Sequence, residues 1–180
     1  MTTSGETMRW VALLRGVNVN GITIRSADLR ALFEGLDATA VRTVLASGNV
    51  LFTAAGTRAG WKARIEQALR DRFGYDAWII LVTADELAAV AASFPFDDAD
   101  PAGHPYVVFC ADAAVHKDVW AATRDACGPD ERVAAGDGVV YWHAVVGTST
   151  DSPVAKALAR TRFKSGTTTR NLRTVHKMLV

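Results

Sequence analysis

Residues 94–105 read Phe-Pro-Phe-Asp-Asp-Ala-Asp-Pro-Ala-Gly-His-Pro, with three prolines, one glycine and three aspartates. Proline removes a backbone donor and fixes φ, while aspartate and glycine favour turns, so this stretch is not expected to hold a helix or strand. It lies near the middle of a 180-residue chain. A fold must therefore be assembled from the two shorter halves on either side. The expected organisation is a polar, fraying tail at 1–7, an α+β subdomain at 8–93, a linker at 94–105 and a second α+β subdomain at 106–180.

The first half alternates short apolar runs with helical periodicity. Met8–Leu14 and Ala77–Val82 read as strands, and Val41–Leu45 and Val50–Thr53 as a hairpin joined by Ser47-Gly48-Asn49. Between them, Leu29, Leu32, Phe33 and Leu36 recur at helical spacing behind Ser26, the expected cap. Trp61, Ile65, Leu69 and Phe73 mark a second helix that stops at Gly74. Thr83-Ala84-Asp85-Glu86 reads as a capping box opening a third. The order strand-helix-strand-strand-helix-strand is that of a ferredoxin-like split βαβ unit.

The second half begins alike. Tyr106–Cys110 reads as a strand, Ala113–Cys127 as a helix, and Glu131–Ala134 with Val139–Ala144 as a hairpin across Gly136-Asp137-Gly138. Ser152-Pro153 caps a helix running to about Arg160. Leu172, Val175, His176 and Leu179 define a last helix, placing His176 on its apolar side. The expectation is a degenerate βαββα half, with a helix where a closing strand would be. The fold class is α+β.

Apolar residues make up 49% of the chain and charged residues 22%, enough for a core. No apolar run approaches the ~18 residues of a membrane-spanning helix. The N-terminus lacks the basic-then-apolar pattern of a secretory signal, and Met8 is a second candidate start. Two cysteines make no disulfide framework, so a cytoplasmic setting is expected. Cys110 ends an apolar run as a small core residue, and Cys127 sits at a helix stop where a thiolate is disfavoured. Charge is uneven: residues 152–180 hold seven of the 20 bases and none of the 19 acids. Such a tail calls for an anionic partner or for docking on the acidic remainder.

Two polar knots close apolar strands. One is Arg15-Gly16-Val17-Asn18-Val19-Asn20-Gly21, and the other is Ser47-Gly48-Asn49. In a split βαβ sheet of order 4-1-3-2 the end of strand 1 lies beside the start of strand 3, so both knots share one sheet edge. Glycines there let backbone amides approach a ligand, and a guanidinium beside them suits phosphate or carboxylate. The same asparagines and serine are also frequent turn formers. A third cluster, Thr167-Thr168-Thr169-Arg170-Asn171, precedes the last helix and is expected to cap it, leaving free N–H groups for an anion.

These motifs carry a resemblance. Ala12-Leu13-Leu14-Arg15-Gly16-Val17-Asn18-Val19, Ser47-Gly48-Asn49-Val50 and Thr168-Thr169-Arg170-Asn171, in this order, resemble the bacterial domain of unknown function 1697 family (DUF1697) from about Met8 to Leu179. The resemblance implies an α+β fold of ferredoxin-like character and implies no activity. Leu172 stands where the family often has tryptophan after Arg-Asn, and Asp151-Ser152-Pro153 replaces a more basic stretch.

No phosphate loop, dinucleotide fingerprint, zinc-protease or Cys-x-x-Cys motif occurs, nor a nucleophile elbow, so no cofactor and no metal site are expected. Asp97, Asp98 and Asp100 lack the glycine and distal glutamate of a calcium loop. The five tryptophans fall mostly on apolar faces and are expected in the core. The resulting expectation is a module binding a small anionic ligand through Arg15, Gly16, Asn18, Ser47, Gly48 and Asn49, with Lys164, Thr169, Arg170 and Asn171 closing over it. An enzyme using the same pocket, with His143 or Tyr141 as acid or base, is the alternative, as is binding of nucleic-acid phosphates by the basic tail. No membrane partner is expected, and the oligomeric state is open.

Overall fold

A computed structural model describes residues 6–15, 23–46, 48–74 and 76–180. The elements in chain order are β1 (Thr7–Leu14), α1 (Ser26–Glu34), β2 (Thr39–Val44), β3 (Asn49–Ala55), α2 (Arg58–Phe73), β4 (Ile79–Thr83), α3 (Ala84–Ala92), β5 (Gly103–Cys110), α4 (Ala113–Ala126), β6 (Arg132–Ala135), β7 (Val139–Val145), α5 (Pro153–Leu158), a 3₁₀ turn (Thr161–Phe163), β8 (Thr167–Asn171) and α6 (Leu172–Leu179). The chain is α+β, with two four-stranded antiparallel sheets. It divides into two compact units, 1–87 with 178–180, and 88–177.

The sheet of the first unit has the order β2-β3-β1-β4. Trp10, Ala12 and Leu14 alternate onto one face with Val50, Phe52 and Ala54, the period-2 pattern of strands. Phe33 of α1 and Trp61 of α2 pack on Phe52, with ring centroids 5.2 and 5.1 Å away. Local signals act as the sequence indicates. Gly74 ends α2 in the left-handed conformation at φ 66°, and its N–H reaches Arg70 O. Thr83 Oγ1 accepts from Glu86 N at 3.1 Å while Glu86 Oε2 accepts from Thr83 N at 2.8 Å, a reciprocal capping box. Ser26 is the first helical residue rather than the cap; Arg25 takes that position with no side-chain bond.

The second unit departs from expectation at its end. Its sheet has the order β6-β7-β5-β8, so a closing strand exists where a helix cap was expected. Thr167–Asn171 pairs antiparallel with β5 along Val107↔Arg170 and Val108↔Thr169. Three consecutive threonines have strong β preference, and pairing satisfies backbone groups that a loop would leave to water. The second half is therefore not a degenerate βαββα but has four paired strands. β5 also starts at Gly103, inside the proline-rich stretch, with Pro105 opposite His143. Helices α4 and α5 cover this sheet with Val119, Ala122, Val154 and Ala155.

Candidate functional site

The described ends of the two knots lie side by side, as the strand order implies. Leu13 is the register partner of Asn49, and Leu14 N donates to Gly48 O at 2.8 Å. Arg15 N then donates to Trp78 O at 3.1 Å, which brings the approach to β4 alongside. That approach is pinned from α2: Lys62 Nζ donates to Ile79 O at 2.8 Å and Glu66 Oε1 accepts from Ile79 N at 3.1 Å. Four strand ends thus line one edge, with Leu45 at one corner and Trp78 at the other. At about 4.8 Å per strand this edge spans about 14 Å.

The residues on this edge differ in role. Asn49 is fully buried, and its Nδ2 donates to Val44 O at 2.8 Å, closing the hairpin. It is the first residue of β3, so it belongs to the strand and not to the turn. Gly48 holds φ 74° and Leu45 φ 60°. A leucine in the left-handed region is strained, yet this one is 49% exposed and gains little burial in return. Trp78 is 44% exposed, contrary to the expectation of a core tryptophan, whereas Trp10, Trp61 and Trp142 are buried. Arg15 is half-buried, and desolvation holds its guanidinium below its ordinary pKa. Gly16, Asn18 and Ser47 lie outside the described residues.

Lys164, Thr169, Arg170 and Asn171 belong to the second unit. Lys164 and Thr169 are exposed. Arg170 is 8% exposed, and its Nη1 donates to Thr168 Oγ1 at 2.7 Å and to Thr169 O at 3.0 Å. Burial lowers its pKa from 12.5 to about 10. Asn171, not a threonine, caps α6, its Oδ1 accepting from Arg173 N at 2.9 Å. His176 is exposed, with its Nε2 4.0 Å from Asp98, and the buried positions of α6 are Leu172, Val175 and Met178. Spacing from Leu172 admitted His176 to the apolar stripe; the narrower stripe actually used excludes it.

Of the acid/base candidates, Tyr141 is committed elsewhere. Its hydroxyl donates to Val90 O at 2.9 Å, and burial raises its pKa. His143 is different. It is 4% exposed, and its Nε2 has no hydrogen-bond partner among the described residues. Asp100 Oδ2 stands 3.7 Å away, too far for a hydrogen bond, and Arg132 Nη2 is 3.9 Å from the same oxygen. The imidazole crowds against Gly103, where any Cβ would sit 1.8 Å from a ring atom. Leaving a buried polar atom unbonded costs about 1–3 kcal/mol, so such a group calls for an explanation.

Comparison with known proteins places the chain. A family model described as "Protein of unknown function (DUF1697)" matches residues 8–141. The chain belongs to the DUF1697 family. A solved structure of a conserved bacterial protein, SP0830 from Streptococcus pneumoniae, is similar at a TM-score of 0.82 and 21% identity, covering 97% of this chain and 100% of that one. At that identity the likeness is one of fold. No curated protein matches the chain.

The family match takes in both knots of the first unit and stops short of Arg170. Sequence reasoning did not pair His143 with Asp100, because they are 43 positions apart and Asp100 lay in a segment assigned to solvent. Nor did it find Trp78, whose exposure depends on where β4 begins. Cys110 is buried, and burial pushes its thiol up to about 12; Cys127 is raised by burial and then by Glu131. Both shifts disfavour the thiolate that nucleophilic chemistry needs. No group of three ligating side chains that could hold a metal exists among the described residues. No described helix is long and apolar enough to cross a membrane.

Proposed function

We propose that this DUF1697 protein binds a small anionic, phosphate-bearing ligand at the edge formed by the ends of β1, β2, β3 and β4. One observation carries this reading: the Leu14–Gly48 bond seats Arg15 beside a left-handed glycine and an exposed tryptophan. A guanidinium supplies charge-assisted bonds to phosphate, and an exposed indole supplies a stacking face for an attached ring. Gly16, Asn18 and Ser47 are assigned to the same site on their sequence positions. The first unit is read as a ferredoxin-like split βαβ unit, which the β2-β3-β1-β4 order supports. A cytoplasmic setting agrees with two free cysteines.

The test is thermal unfolding of the full chain against inorganic phosphate and nucleoside monophosphates. Ligand at a hundredfold excess over Kd stabilises the native state by about 2.7 kcal/mol. A chain of this size gains about 2–4 °C per kcal/mol. A rise of several degrees that disappears in Arg15→Ala is expected. A melting point that no phosphate compound raises, with Arg15→Ala simply less stable, rejects the reading.

Nucleic-acid binding is the second reading. It is favoured by six exposed bases, Lys156, Arg160, Arg162, Lys164, Arg173 and Lys177, in a stretch without acids. Affinity for RNA or DNA that is insensitive to salt would rule it out.

A further inference from the structure

The second unit contains a cavity of about 540 Å³, within the range of small-molecule sites. Asp100 and His143 line it, with Pro129, Pro153, Ala102 and Val145 supplying apolar wall. Four acids border it, Asp100, Asp130, Glu131 and Asp151, against the one guanidinium of Arg132. Glu131 is spent on structure: Oε1 accepts from Trp142 Nε1 at 2.9 Å and Oε2 from Val154 N at 3.3 Å. Its carboxyl is buried at the cavity wall. Asp100 Oδ1 is also spent, accepting from Ala102 N at 2.9 Å, which leaves Oδ2 between the imidazole at 3.7 Å and the solvent-facing Arg132 guanidinium at 3.9 Å, a partner that an incoming ammonium would have to outcompete.

Two polar atoms, His143 Nε2 and Asp100 Oδ2, therefore stand 3.7 Å apart at this wall without bonding each other. A carboxylate only accepts, and a neutral imidazole nitrogen accepts when its proton is on the other nitrogen. An ammonium has three donors on one atom and can serve both acceptors at once. The acidic border favours a cation, and the proline walls suit a short hydrocarbon body. Two candidate ligands are too few for a metal ion, and no group of three exists among the described residues.

We propose that this cavity binds a small organic cation, a primary ammonium carried on a short apolar chain, anchored between Asp100 and His143. The site is separate from the anion site of the first unit and does not depend on it. Nε2 is itself buried, so binding requires the part-exposed Asp100 side chain to turn aside and admit the ammonium.

The experiment titrates the full-length protein with 1,4-diaminobutane and benzylamine, and with 1,4-butanediol and succinate as uncharged and anionic controls, following ¹H–¹⁵N imidazole correlations and heat of binding. The amines are expected to bind saturably and shift the His143 ring nitrogens, while the controls do neither. Asp100→Asn should weaken amine binding at least tenfold while leaving circular dichroism unchanged, and His143→Gln, which keeps an acceptor, should weaken it less than His143→Leu. The wild-type imidazole shifts need no variant, so a misfolded mutant does not remove the test. Absence of saturable amine binding, or equal binding by Asp100→Asn, overturns the proposal.

Discussion

Leu45 shows how a single residue separates folding from use. Its left-handed φ of 60° costs about 1–2 kcal/mol for a residue with a Cβ, and half of its surface stays in water. Leu45→Gly should raise stability by about 0.5–1 kcal/mol in urea titrations, glycine's own unfolded-state entropy taking back part of the gain. If the edge is the ligand site, the same variant binds phosphate compounds more weakly. Cys110 gives a pH signature. Its thiol holds its proton to about 12 in the folded state against 9.0 in the open chain. Above pH 9 the unfolded chain releases a proton that the native state keeps, so this group's contribution to stability falls with rising pH. Native Cys110 should resist thiol reagents at pH 8 and react once urea unfolds the chain. Cys110 was read correctly from the sequence as a core residue, whereas Leu45, read as the last residue of a strand, lies in the turn that follows β2. What the sequence hid was Asn49's full burial, because an asparagine beside a glycine also fits an exposed turn.

Elements were legible where local chemistry decides them. The Gly74 stop and the Thr83–Glu86 capping box act through bonds within a few residues, so pattern and structure coincide. Gly74→Ala should cost about 1 kcal/mol, and the loss is conformational alone because an added Cβ meets nothing within 4 Å. Urea midpoints measure it, and a neutral result would contradict the left-handed cap. Strand β8 was missed because its identity comes from a partner. Thr167–Asn171 lacks an apolar alternation, and only β5, some 60 residues earlier, makes it a strand. His176 failed for a related reason: spacing gives a stripe, and the neighbouring surface sets its width.

At the scale of the whole molecule, each unit carries its own sheet and its own core. Hydrogen exchange should show two protected centres, at Val11–Leu13 with Val50–Phe52 and at Val107–Phe109 with Val140–Trp142, all buried strand segments. β8 lies at a sheet edge, so every second amide from 167 to 171 should be protected. Uniformly fast exchange there would contradict the fourth strand. The two compact units part between Leu87 and Ala88, ahead of the prolines at 94–105, while the pairing of β1 with β3 that sets Leu14 against Gly48 follows from element order alone. The reading that Arg15 and its neighbours hold an anion is the central functional claim. Its most direct test is a titration of ¹⁵N-labelled full-length protein with a nucleoside monophosphate, observing arginine Nε–Hε and tryptophan Nε1–Hε1 resonances. The account predicts saturable shifts at Arg15 and Trp78 that vanish in Arg15→Ala; resonances of both residues that stay fixed while the nucleotide reaches millimolar concentration would contradict it.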